Sequence, residues 1–369
     1  MERPGFLPRQ RLDDLLALLR SSGYRVIGPQ LTGGAVVYRD IDAASDLPAG
    51  VTVESGPGSM RVIQQDSPRQ FAWANGPQAL KPLLFKPTET LWQVQRDAQG
   101  QLNFAHCDET PQAVAVIGMR ACDLAALRIH DQHFLEGEYR DPHYARRRER
   151  LLLVAVNCTE PATTCFCAST GDGPGASDGY DLLLDELEDG FLVTPGSPEG
   201  RKLSAALALE PAPEARCEVA RAAVERAAAV QTRTLPPGDL FDTLFAHRDH
   251  PRWSEVANRC LACGNCTQVC PTCFCSRERD ETPLDGGSSV HQREWDSCFT
   301  EGHSYIHGLL VRAETRQRYR QWLTHKLGSW HRQFGRSGCV GCGRCILWCP
   351  VGIDITEEVH VLMQEPVHD

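Results

Sequence analysis

The chain has 369 residues, enough for two domains with substantial cores, and its 41% hydrophobic and 23% charged residues are the balance of a globular protein. A formal charge of -10 excludes a general basic footprint for nucleic acid, and the longest convincing apolar run, residues 151–156, is far too short to cross a bilayer. Seventeen cysteines, with no export signal recognisable in residues 1–20, point to metal ligation in a reducing compartment, the cytoplasm, and not to a disulfide framework.

Leucines at 12, 15, 16, 18 and 19 predict an amphipathic helix over 9–22, followed by short strands over 24–27 and 35–38. From 47 to 103 the Gly- and Pro-rich text reads as mixed strands and loops, and Lys81 and Lys86 read as surface lysines. Residues 113–117 form an apolar strand, 118–123 a turn with Asp123 as N-cap, and 123–135 a helix. A charged connection over 140–150 then leads to a second buried strand over 151–156. Strand, helix and strand in this order form a right-handed crossover, which sets the C-terminal ends of both strands on one edge of a sheet.

Cys122 and Cys158 fall just beyond those two ends, in the crevice where open α/β sheets build their sites, and the loop that follows adds Cys165 and Cys167. Their convergence predicts a third iron–sulfur cluster on Cys122, Cys158, Cys165 and Cys167; the alternatives are buried free thiols or zinc. The stretch 171–175 reads as a turn and not a phosphate loop, because Pro174 removes a backbone donor and no helix opens after it. A hairpin over 180–194, helices over 203–209 and 218–230, and a hinge at Pro236-Pro237-Gly238 follow.

Beyond the hinge, helices over 239–258 lead into Cys260, Cys263, Cys266, Cys270 and Pro271, and the same text recurs at Cys339, Cys342, Cys345, Cys349 and Pro350. Both copies read C-x2-C-x2-C-x3-C-P, the bacterial ferredoxin signature for a 4Fe-4S cluster, in which the fourth cysteine serves the other cluster. The expected ligand sets are therefore crossed: Cys260, Cys263, Cys266 and Cys349 for cluster one, and Cys339, Cys342, Cys345 and Cys270 for cluster two. Zinc knots also use C-x2-C pairs, but they need two pairs, not a recurring run of three and one. The intervening residues 271–338 read as a helical insert. The remaining thiols, Cys107, Cys217, Cys273, Cys275 and Cys298, read as structural, although the last three could line or replace a ligand set.

The expected fold is an α/β N-terminal domain over 1–237, followed by a mainly helical ferredoxin-like domain over 238–369 with two 4Fe-4S motifs. No G-x-G-x-x-G follows a strand, so the chain carries no recognisable flavin or dinucleotide fingerprint.

Residues 116–123, Asn157 to Cys167, Cys260 to Cys275, Trp295-Asp296-Ser297-Cys298, His325-Lys326 and Cys339 to Asp354 together resemble the iron–sulfur beta subunit of cytoplasmic, NAD(P)-linked sulfhydrogenase-type nickel–iron hydrogenases. The plan is equally similar to that of the corresponding iron–sulfur component of anaerobic sulfite reductase. The resemblance implies an electron-transfer subunit without catalysis of its own, placed between a flavoprotein subunit binding FAD and NAD(P)H and either the hydrogenase small and large subunits or a sirohaem-binding sulfite reductase subunit. It implies neither nucleic acid nor a membrane span. This chain has Ser304-Tyr305-Ile306-His307-Gly308 where relatives carry Gly-His-Asn-Pro, a departure that bears on partner contacts in the insert. The rival classes are a stand-alone iron–sulfur flavoenzyme and a cluster-based sensor or assembly factor.

Overall fold

A computed structural model describes residues 3–364 apart from 75, 79, 108 and 109; the expected domain limits at 1 and 369 lie outside the described residues. Its largest sheet has eight strands in the order Glu210–Pro211, Gly5–Pro8, Gly190–Pro195, Leu182–Glu186, Leu151–Val156, Val114–Met119, Arg25–Thr32 and Ala35–Asp40. The strands from Leu182–Glu186 to Arg25–Thr32 in that order run parallel, and the outer pairings are antiparallel.

Parallel strands are covered on both faces and so read as continuous apolar runs. Here Ala115 and Ile117 pack against Leu12, Leu15 and Leu19 of helix Leu12–Ser21. Val116 and Met119 face the other way, against Leu124, Leu127 and Phe134 of helix Ala121–Phe134. That helix starts earlier than the sequence suggests. Arg120 is its N-cap, and Asp123, expected there, is three residues in, where its carboxylate accepts the Arg120 N–H at 3.2 Å. The charged connection also holds a helix, Pro142–Arg148, capped by Asp141 accepting from the Tyr144 N–H at 2.8 Å.

The C-terminal part gathers helices Arg252–Arg259, Thr315–Thr324 and Ile355–Gln364 around Trp253, Tyr319, Trp322, Leu323 and Val359. The insert departs from the helical expectation. It opens with an antiparallel hairpin, Ser276–Glu281 and Ser288–Trp295, which joins Thr88–Arg96 and Leu102–His106 in a four-stranded sheet. These strands are held by cross-strand charge pairs, such as Arg277 with Glu294 at 2.8 Å and His291 with Asp280 at 2.7 Å, so they carry no apolar alternation to read. The sheet combines strands from both sides of the 236–238 hinge.

A second tie runs between the large sheet and the second cysteine motif. The Phe166 N–H donates to the Gly341 carbonyl at 2.8 Å. Gly341 and Gly343 have φ of +63° and +70°; a Cβ at 341 would stand 2.6 Å from the Cys167 nitrogen, and one at 343 would stand 2.3 Å from the Thr164 carbonyl oxygen. Only glycine permits both the backbone conformation and the approach. Beside this contact the Arg344 guanidinium meets the Asp123 carboxylate at 2.8 Å, with side chains 2% and 1% exposed, and also donates to the Gly76 carbonyl at 3.0 Å. Losing one partner of a buried ion pair leaves an uncompensated charge. Arg344→Leu should therefore cost about 3–5 kcal/mol, and the Asp123→Leu, Arg344→Leu double variant should cost less than Arg344→Leu alone, as read from denaturant unfolding under argon.

Candidate metal centres

The first motif forms a nest at the end of helix Arg252–Arg259. Cys260, Cys263 and Cys266 line one cavity together with Cys349 of the second motif, so the four thiols of the first crossed set share one space. Cys345 borders the same cavity, and aromatic walls at Phe299, Tyr319 and Trp322 keep it apolar. The Cys349 sulfur accepts the Ile353 N–H at 3.3 Å, and the Cys260 sulfur accepts the Ala262 N–H at 3.4 Å. Burial raises the Cys266 thiol well above its ordinary range, and the neighbouring thiols of Cys298, Cys260, Cys349 and Cys263 add to it. Cys263 itself is exposed.

The second nest is deeper. Cys270, Cys339 and Cys342 are buried, and burial pushes the Cys339 thiol up to about 12. Cys345 feels Cys339, Cys342 and Cys270 together, which groups the four thiols of the second crossed set. The Lys326 ammonium, 4% exposed, donates to the Cys270 sulfur at 3.4 Å, to Thr272 at 3.0 Å and to the Gly338 carbonyl at 3.3 Å. A hydrogen bond with Cys273, and then this ammonium, hold the Cys270 thiol well below its ordinary range despite burial.

The third nest lies where the crossover predicts, at the C-terminal edge of the parallel strands. Cys122 sits in the first turn of helix Ala121–Phe134, and Cys165 and Cys167 reach the same place from the loop after Leu151–Val156. All three are buried. Cys158 is half-exposed as a residue, yet burial raises its thiol, and its N–H donates to the Pro174 carbonyl at 3.2 Å, so the 171–175 turn closes the nest. Burial raises the Cys165 thiol well up, with Cys158, Cys167 and Cys342 adding to it. The Cys165 Sγ lies 3.7 Å from the Cys342 carbonyl, which sets the third nest against the second.

Three buried cations stand among these thiols. Lys81 donates to the Thr267 carbonyl at 3.3 Å and lies 3.9 Å over the Trp295 ring, and Arg120 donates to the carbonyls of Phe71 at 2.6 Å and Asn157 at 3.2 Å. Neither these two nor Lys326 makes an ion pair with a carboxylate among the described residues. Buried charge needs a counter-charge, and a thiolate-ligated iron–sulfur cluster is an anion that fits it. Among the described residues no three Cys, His, Asp or Glu close tightly enough to hold a single metal ion. Lys81 is thus buried and not a surface lysine, the other reading of Lys81 and Lys86 in the sequence being that they face an anion or an acidic partner, while the place of Arg120 was not seen there. The signal was there in Lys81, a lone charge beside Pro-Leu-Leu-Phe.

Fold and nests define an iron–sulfur protein of the dicluster type, and the 4Fe-4S dicluster domain family matches residues 259–353. The chain is 30% identical over 285 residues to sulfhydrogenase 2 subunit beta of Pyrococcus furiosus, an alignment that covers 74% of this chain and 79% of that relative. It belongs to the family of sulfhydrogenase beta subunits, and its role is electron transfer. No solved structure matches it. Among the described residues no helix is long and apolar enough to cross a membrane.

Lys326→Met should leave the iron content unchanged and lower the reduction potential of the centre bordered by Cys270 by on the order of 100 mV, the effect of removing one charge a few ångströms away at an effective dielectric of about 20. EPR-monitored redox titration measures it; an unchanged midpoint would mean that Lys326 serves packing alone.

Proposed function

We propose that the chain carries electrons through three 4Fe-4S clusters between a flavoprotein subunit that binds FAD and NAD(P)H and the nickel–iron subunits of a cytoplasmic hydrogenase. The ligand sets are Cys260, Cys263, Cys266 and Cys349, then Cys339, Cys342, Cys345 and Cys270, then Cys122, Cys158, Cys165 and Cys167. The observation that carries this reading is the contiguity of the nests. Cys345 belongs to the second and borders the cavity of the first, while the Cys342 backbone touches Cys165 of the third.

A 4Fe-4S cluster accepts and releases one electron at a time, so a hydride donor must be split at a flavin before the relay. The residues of this chain hold the path dry and set its charge. Phe299, Tyr319 and Trp322 shield the first nest, while Lys326 and Arg120 favour the more negative, reduced state nearby. The first nest reaches the surface at Cys263, beside Leu261 at 63% exposure, which makes it one port. Residues 1–237, which hold the third nest at a sheet edge, supply the other port, toward the flavoprotein; residues 238–369 form the dicluster part.

A Cys165→Ser, Cys167→Ser variant, purified without oxygen, should hold about four iron and four acid-labile sulfide fewer per chain than wild type. Equal iron in the two proteins would remove the third cluster and with it the port in the α/β part. Purified alone, the protein should be brown, carry no flavin and oxidise no NAD(P)H; bound flavin with turnover would favour a stand-alone enzyme.

A further inference from the structure

One group of metal-ligating side chains belongs to none of the three ligand sets but lies against the first two nests: Cys273 hydrogen-bonds Cys270, and Cys298 neighbours Cys266. Cys275 closes the loop before strand Ser276–Glu281, and Cys298 follows strand Ser288–Trp295. The hairpin pairs Ser276 with Trp295, and the Asp296 N–H donates to the Cys275 carbonyl at 2.9 Å, so its register brings the two cysteines together at the base. Cys273 enters from the same loop. His303 returns to this point on the turn that follows, with its Nδ1 3.0 Å from the Asp296 carboxylate. All four side chains line one cavity of about 110 Å³.

We propose that Cys273, Cys275, Cys298 and His303 ligate a further iron–sulfur cluster, separate from those of the two ferredoxin motifs and of the α/β edge. A carboxylate on one ring nitrogen is how metal-binding histidines are oriented, and His303 is hydrogen-bonded to the Cys275 thiol as well as to Asp296, so the two would-be ligands are in direct contact. The cavity is also bordered by Trp322, Trp330 and Arg312, whose buried Nε1, Nε1 and Nε atoms have no hydrogen-bond partner among the described residues. Unused N–H donors around an enclosed, thiol-lined space match a cluster whose sulfurs accept hydrogen bonds. Buried Lys326 borders the same cavity and adds positive charge. With one neutral imidazole in place of a thiolate, this centre has the less negative ligand set and should titrate at the highest potential of those in the chain.

The test uses the full chain, purified without oxygen and labelled with 15N-histidine. Wild type should hold about sixteen iron, and a Cys275→Ser, Cys298→Ser variant about twelve, with the signals of the other centres retained. Wild type should show hyperfine coupling to an imidazole nitrogen at a reduced cluster, and His303→Gln should lose it. Absence of that coupling in wild type overturns the proposal whether or not any variant folds. So does undiminished iron in the double variant, or loss of the same signal that Cys260→Ser abolishes, since Cys298 would then belong to the first nest. The Cys165→Ser, Cys167→Ser variant tests the third cluster separately, so either assignment can fail while the other stands.

Discussion

The structure is governed by the requirement that charge taken out of water be matched. Lys81, Lys326, Arg120 and Arg344 are all buried, and Asp123 meets only the last of them as an ion pair. An ammonium or guanidinium in an apolar interior without a counter-anion is costly by several kcal/mol. The other candidates for negative charge at these positions are the thiols, and as free thiols most resist ionisation: burial raises Cys122, Cys165, Cys266 and Cys345 well above their ordinary range. Iron at the proposed ligand sets would resolve the conflict, because a coordinated thiol is deprotonated outright. On that reading metal loading and folding are coupled.

The parts on either side of the 236–238 hinge are in close contact. The nest at the sheet edge needs the close approach of Gly341 and Gly343 to the 164–167 backbone, and the second motif in turn leans on Asp123. Phe166 packs in the same core as Trp253, Tyr319 and Ile346 of the dicluster part. The hairpin at the start of the insert then pairs with Thr88–Arg96, bringing the region from 88 to 106 into the neighbourhood of the thiols.

What the sequence revealed follows from which interactions are local. Cysteine spacing within each motif is a property of a short loop, and the covered strands at 114–119 and 151–156 announce themselves as apolar runs, so the α/β edge and its four cysteines were legible together. Contacts across long separations were not. The insert hairpin is polar and stabilised by pairs such as Arg277 with Glu294, and nothing in residues 276–295 names Thr88–Arg96 as the partner strand. Asp123 was recognised as a helix-start residue, but its second task, meeting Arg344, depends on a motif more than two hundred residues away. Cys273, Cys275 and Cys298 read as structural thiols because their convergence is a product of hairpin register.

The two ferredoxin motifs, nearly identical as text, thus acquire different surroundings from their third dimension. In the first, Asn265 and Val269 fill the positions held by Arg344 and Trp348 in the second. Asn265 spends its amide on the Trp348 carbonyl, and its motif faces solvent at Cys263. Arg344 places a cation in the second motif, partly neutralised by Asp123, while Lys326 adds another at Cys270. Solvent on one side and buried cations on the other both stabilise a reduced, more negative cluster, but by different routes. The solvent contribution is screened by salt and altered whenever a partner covers Cys263; the buried cations are insensitive to both. On the proposed relay, a partner covering Cys263 would change the driving force on that side and leave the interior fixed.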